Sequence, residues 1–259
     1  MQQSAFSNIE AWQRLRHPNI VSVHEAFTTR AFNDSCKRSS SSRHLEVLTC
    51  SLALVVVYDD HPNARTLYET HMKPKAPQFQ NGRLQAQNNR VPERTVWSYV
   101  IQIANAVKAV HDAGLAVRLI EATKILVTGK NRCFRFPALS LTTRSQKAPC
   151  SHRVRIGSCG IVDVLTHDMQ TEMALLQQED LHMFGALIFQ LCSGSLGAMN
   201  NLAKAAESLR RNYSADLKSV ALFLISKPGP HKVNLPHSQP ICGRAVSDGS
   251  HRALGNYLT

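Results

Sequence analysis

The chain has 259 residues, 43% of them hydrophobic, and a mean hydropathy of −0.21, enough to bury a core as one large domain or two small ones. Its longest apolar runs, such as residues 52–58, are too short to cross a bilayer, and Met1-Gln2-Gln3 opens no charged-then-apolar leader, so the expectation is a cytoplasmic chain with no membrane partner. A formal charge of +12 invites a nucleic-acid reading, yet residues 36–50, 133–152 and 233–259 carry +2, +3 and +1 of it, and the rest shows no dense basic stripe interleaved with aromatics.

In chain order, residues 4–16 predict a helix with Phe6, Ile9, Trp12 and Leu15 on one face. Ser7 and Glu10 stand at capping-box spacing. The alternation in HPNIVSVHEAFTT predicts a strand, and LALVVVYDD (52–60) a second strand buried on both sides. Residues 73–92 are polar and rich in Pro, Asn and Gln, hence a surface loop. Pro92 and Glu93 then open the clearest helix, with Val96, Val100, Ile103, Val107 and Val110 at helical spacing and Gly114 as its stop. ILVTGK and RVRIG read as a hairpin. Residues 180–194 predict another helix, with Leu181, Phe184, Leu187, Ile188 and Leu191 inward, and two more precede Pro228.

Three segments break the pattern. Residues 36–50 and 133–152 interrupt otherwise continuous elements and read as insertions, and residues 233–259 read as an irregular tail. The seven cysteines include no CxxC and the twelve histidines no HExxH, so no metal site is expected. Reduced cysteines suit the expected compartment. The division is a partial β-bearing lobe and hinge at 1–60, a helical lobe at 61–232 and the tail at 233–259.

HPNIVSVHEAF, LALVVVYDDHP, PERTVWSYVIQIANAVKAVHDAG and DLHMFG resemble, in this order, successive parts of a protein kinase. The resemblance implies an α+β, kinase-like two-lobed fold with an incomplete small lobe. Asp180, Phe184 and Gly185 match a structural motif whose Asp braces the catalytic loop. A kinase loop needs an Asp to receive the substrate proton and an Asn to hold magnesium. Aligned to that loop, this chain has Leu119 at the Asp and Lys124 at the Asn, and Ser158-Cys159-Gly160 at the D-F-G motif. The catalytic set is therefore empty, and the reading is a pseudokinase rather than an enzyme.

Longer strings narrow the family. HPNIVSVHEAFTTRAFNDS, VVYDDHPNARTLYE, WSYVIQIANAVKAVH, TKILVTGKNR and SLRRNYSADLKSV resemble the regulatory pseudokinase subunit of the poly(A)-binding-protein-dependent poly(A)-specific ribonuclease. That resemblance implies a non-catalytic scaffold in mRNA deadenylation that binds ATP. The matching nucleotide-binding positions are Asp59, Asp60, His61, Pro62, Asn63, Ala64, Arg65 and Thr66 after the hinge, with Thr123 and Lys124 in the loop. Without a metal ligand, the Lys124 ammonium could neutralise phosphate directly. The implied partners of the intact protein are the catalytic nuclease, poly(A)-binding protein, poly(A) RNA and a second copy of itself. This chain is expected to cover part of the pseudokinase region. The alternatives are an unconventional kinase using Asp163 or Asp168, a direct RNA-binding module, and a defective fragment without function.

Overall fold

The computed structural model describes residues 6–30, 53–74, 90–130, 152–169 and 171–226, together with four short strands at 36–37, 49–50, 78–80 and 83–85. The tail at 233–259 and nearly all of the two expected insertions lie outside the described residues.

Helix α1 (Ser7–Arg14) buries Ile9 and Trp12. The expected capping box does not form. Phe6 is the N-cap and offers no side-chain acceptor, Ser7 is already inside the helix, and Glu10 turns to Arg14 at 3.5 Å. After α1 the chain is fastened by Asn19, which is 8% exposed. Its Nδ2 donates to Gln102 Oε1 (2.9 Å) and to the Val154 carbonyl (2.8 Å), and its own carbonyl accepts from the Ile156 N–H (2.8 Å). A buried amide satisfied on both sides fixes one path for the backbone. That fastening also delays the strand: β1 runs Val23–Thr29, while Ile20 makes only an isolated parallel bridge to Ile156.

Strands β2 (Cys36–Lys37) and β3 (Thr49–Cys50) pair with Cys36 opposite Cys50. Strand β4 (Ala53–Tyr58) pairs antiparallel with β1, Phe27 facing Val55. β4 is not buried on both sides as its apolar sequence suggests. Five of its six residues are half-buried and Val57 is 39% exposed, because among the described residues β1 is its only sheet neighbour.

Beyond the hinge, β5 (Arg65–Thr66) leads into a π-helical turn at Tyr68–Met72. The expected loop at 73–92 contains a small hairpin, β6 (Gln78–Gln80) against β7 (Arg83–Gln85). Helix α2 (Glu93–Asp112) buries Val96, Val100, Ile103, Val107 and Val110, as their spacing requires. Burying each of these is worth about 1.5–3 kcal/mol against leaving it exposed. Gly114 follows at φ +72°, a conformation only glycine adopts without strain.

Strand β8 (Ile125–Lys130) pairs with β5 on one side and β9 (His152–Ile156) on the other. The predicted hairpin therefore closes across the second insertion. A short helix, α3 (Ile161–Leu165), follows. Helix α4 (Met173–Ser193) begins seven residues before the expected start at Asp180, since 173–179 is a run of good helix formers with no Gly or Pro. A 3₁₀ turn at Leu196–Asn201, α5 (Leu202–Asn212) and α6 (Ala215–Ile225) complete the helical part. No single helix among the described residues is long and apolar enough to cross a membrane. One hydrophobic cluster joins Ile9, Trp12 and Val23 to Leu187, Leu217 and Leu224, so the strand-bearing and helical parts share a core.

Candidate functional site

The loop where a kinase would hold its base is built around one carboxylate. Asp180 is fully buried in α4. It accepts from the Val117 N–H (2.7 Å), the Arg118 N–H (2.6 Å) and His111 Nε2 (2.9 Å). A buried carboxylate is tolerable only with this degree of satisfaction. The two backbone bonds hold Arg118 at φ +63°, an uncommon setting for a residue with a side chain. Its guanidinium then reaches Thr166 Oγ1 (2.6 Å) and Asp163 (3.5 Å), and Asp163 also accepts from Trp12 Nε1 (2.7 Å). The expected bracing role of Asp180 is realised, and Arg118 extends the brace to α3. Helix α1, the 116–120 loop and α3 are thereby tied into one polar network.

Leu119, aligned with the kinase base, is half-buried and presents no acceptor. Ser158 has φ +60° and leads into Cys159, which is fully buried, so burial pushes its thiol up to about 12. Gly160 follows at φ +80°, where a Cβ would sit 3.1 Å from both Ile9 and Trp12. The glycine lets α1 lie directly on this turn. Tyr58 Oη donates to the Cys159 carbonyl (2.7 Å), latching the end of β4 to the same turn.

The sequence-predicted ligand residues occupy two neighbouring edges of this region. Asp59 follows β4; its N–H donates to the Ser22 carbonyl (3.1 Å) and its carboxylate meets His24 Nε2 at 2.5 Å. Hydrogen bonds from Ser22 and His24 hold that carboxyl below its ordinary range. Asp60, Pro62 and Asn63 are exposed, and Asn63 has φ +62°. The Ala64 N–H closes the turn on the His61 carbonyl (3.1 Å). Arg65 and Thr66 form β5, facing Val127 and Leu126 of β8. Thr66 is committed elsewhere. Its Oγ1 accepts from the Glu69 N–H (3.1 Å), while Glu69 accepts from the Thr66 N–H (2.9 Å), a reciprocal cap on the π-helical turn.

Thr123 and Lys124 stand just before β8. Thr123 donates to Glu121 (3.1 Å). The exposed Lys124 ammonium has no ion pair among the described residues. Its carbonyl accepts from the Gly157 N–H (3.1 Å), and a Cβ at Gly157 would lie 2.8 Å from that oxygen. Because Thr66 faces Leu126, two residues past Lys124, the pairing of β5 with β8 sets Thr66 roughly 7 Å from Lys124 along the strand direction. Trp97 and Tyr99 pack inside rather than lining this surface: Tyr99 is fully buried and Trp97 is packed against the core.

Sequence reasoning missed Arg155. It faces Leu126 across the hairpin, and its Nε is buried without a hydrogen-bond partner, as is His61 Nε2. The alternation in R-V-R-I held a signal. Val154 and Ile156 go to the core, which sends Arg153 and Arg155 to the opposite face.

No protein-family profile matches the chain. Individual relatives do. The PAN2-PAN3 deadenylation complex subunit PAN3 of Cryptococcus neoformans var. neoformans is 38% identical over 236 residues, which is 89% of this chain and 29% of that protein. The corresponding subunit of Coccidioides immitis is 37% identical over 224 residues, 86% of this chain and 28% of that protein. This chain is homologous to PAN3. Solved PAN3 structures agree. The Drosophila melanogaster PAN3 pseudokinase matches with a TM-score of 0.65 at 29% identity, covering 90% of this chain and 51% of that one. Neurospora crassa PAN3, solved as its pseudokinase and C-terminal parts in complex with PAN2, matches at 0.67 and 29% identity over 100% of this chain and 50% of its own. The kinase-like α+β fold expected from the sequence is thus the observed one. The chain spans less than a third of the curated PAN3 relatives and about half of the solved chains.

Proposed function

We propose that this chain serves as a non-catalytic, ATP-binding pseudokinase scaffold in a deadenylation complex that shortens mRNA poly(A) tails. The observation that carries the reading is the contrast inside one loop: Asp180 keeps its three hydrogen bonds to the 111–118 region, while Leu119, Lys124 and Ser158 occupy the positions of base and metal ligands. Phosphoryl transfer depends on charge placed at those positions. A lysine there cannot ligate a metal but can neutralise phosphate. Asp59–Thr66 and Thr123-Lys124 are the nucleotide-binding residues in this reading, with the exposed Lys124 meeting phosphate. The partners are a PAN2-type nuclease subunit, as in the Neurospora crassa complex, with poly(A)-binding protein, poly(A) RNA and a second PAN3-like copy engaged by the intact protein in the cytoplasm.

The rival reading as an unconventional kinase loses its acid. Asp163 is only 10% exposed and already accepts from Trp12 and Arg118, and Asp168 is 82% exposed and held by His167. Calorimetry of the full chain with ATP, with and without magnesium, tests the proposal. Binding that persists without magnesium and weakens about tenfold or more in Lys124→Ala is expected. Magnesium-dependent phosphate transfer to protein substrates would overturn the non-catalytic part, and an absence of ATP binding by a folded chain would overturn the ligand.

A further inference from the structure

The two arms that pair as β1 and β4 carry a second, shorter ladder. β1 and β4 stop pairing at Thr29 opposite Ala53, and β2 and β3 take it up again with Cys36 opposite Cys50 and Lys37 opposite Thr49. Six residues, 30–35, separate the two ladders on one arm and two, 51–52, on the other. A ladder of two pairs is marginal by itself. One of these two pairs consists of two cysteines.

Directly opposite residues of an antiparallel pair have Cα atoms about 4.5 or 5.5 Å apart, depending on whether they exchange hydrogen bonds, and share one face of the sheet. A disulfide spans Cα atoms about 4.4–6.8 Å apart. Either setting meets that requirement, so the register alone places Cys36 and Cys50 at a spacing that a disulfide can bridge. Among the described residues Cys159 and Cys192 are free and buried, one in the 157–160 turn and the other in α4, and neither stands opposite a cysteine. The local charge suits an anionic oxidant. Residues 36–50 carry +2, from Lys37, Arg38 and Arg43 against Glu46, which favours the approach of glutathione disulfide.

We propose that Cys36 and Cys50 form a reversible disulfide that clamps the far end of the β1–β4 ladder, with glutathione disulfide as the oxidant. One protein thiol, as its thiolate, attacks a sulfur of glutathione disulfide; the S–S bond breaks and one glutathione leaves with the electron pair and takes up the proton. The second protein thiol attacks the protein sulfur of the mixed disulfide and expels the second glutathione, which takes up the second proton. Two protein thiols are thereby oxidised and one glutathione disulfide is reduced to two glutathione thiols; an excess of reduced glutathione drives the exchange back. The bond closes a loop of 15 residues, 36–50, and removes freedom from the opened arms. At its other end β4 reaches Tyr58, whose Oη holds the Cys159 carbonyl, and Asp59 follows. The clamp therefore firms, from the opposite end, the strand that leads into the predicted ligand positions 59–66. It does not depend on the ATP reading above.

The test incubates the full chain with glutathione disulfide, folded and in urea, quenches with acid and reads the unreduced tryptic digest by mass spectrometry. Cleavage after Arg30, Lys37, Arg43 and Arg65 leaves Cys36 in peptide 31–37 and Cys50 in peptide 44–65. The expected result is that these two peptides become joined, about tenfold or more faster in the folded chain than in urea, and that reduced glutathione separates them. Amide exchange in β1 and β4 should slow about tenfold or more on oxidation, and not in Cys50→Ser, where Cys36 carries a glutathione adduct instead. Glutathione adducts on both cysteines without linkage overturn the proposal. Joining that is equally fast in urea overturns it too, since sequence separation rather than the β2–β3 register would then bring the thiols together. Joined peptides with unchanged exchange in β1 and β4 overturn the clamp.

Discussion

The surroundings of Asp180 and those of Arg155 are two treatments of buried charge in one molecule. Asp180 is fully buried and satisfied by the chain itself, with two backbone N–H groups and one imidazole converging on it. Arg155 is half-buried, and among the described residues its Nε has no hydrogen-bond partner. The first arrangement fixes shape and asks nothing of a ligand. The second leaves a charged donor whose hydrogen-bonding capacity the described residues do not use. Internal bracing therefore rests on residues other than those at the predicted ligand positions.

If that separation holds, substitutions on the braced side act on stability. Asp180→Ala should have the largest effect, about 3–5 kcal/mol in urea unfolding, since it strands His111 and two loop N–H groups together. Gly185→Ala should come next. A Cβ there would lie 2.8 Å from Leu224 Cβ and Ile225 Cγ1, so α4 and α6 must part, at about 1–3 kcal/mol in the same measurement. Trp12→Phe keeps the packing against Gly160 but removes the bond to Asp163. Roughly 1–2 kcal/mol is expected, with α1 loosening first in amide exchange.

The smallest effect is a pH dependence. His17 Nδ1 accepts from the Asn19 N–H (3.2 Å), which requires the unprotonated ring, and burial lowers its pKa. The unfolded chain then binds more protons than the folded one below about 6.5. Stability should be full above that value and fall as the solution is acidified through it. Urea midpoints at pH 7.5 and 5.5 measure the loss, and His17→Gln should shrink it.

Much of this was legible beforehand. The stripe Val96, Val100, Ile103, Val107 and Val110 announced α2, because helical spacing on one face has few other uses. Asp180-Phe184-Gly185 announced the brace, and the structure shows why: Asp180 is the acceptor and Gly185 the crossing point. Local pattern failed where a tertiary neighbour decided the outcome. The apolar run of β4 suggested two covered faces, but coverage depends on which strands lie beside it. The Ser7 cap was plausible by spacing, yet α1 starts a residue earlier. At the candidate site, the nearness of Thr66 to Lys124 follows from the pairing of β5 with β8. Arg155 gave only an alternation signal, and nothing in its flanking residues reveals that its Nε is left without an acceptor.

The burial of Cys159 supplies the molecule with an internal clock. Its thiol sits where α1, the end of β4 and the 157–160 turn meet, and burial raises its pKa to about 12, as it does for Cys192 in α4. Neither sulfur holds appreciable thiolate at neutral pH, so alkylation must wait for the structure to open. The two thiols report on different seams, one at the 157–160 turn and one in the helical core. Site-resolved alkylation rates would show which seam opens first, and whether adding ATP slows the Cys159 reaction while leaving that of Cys192 unchanged.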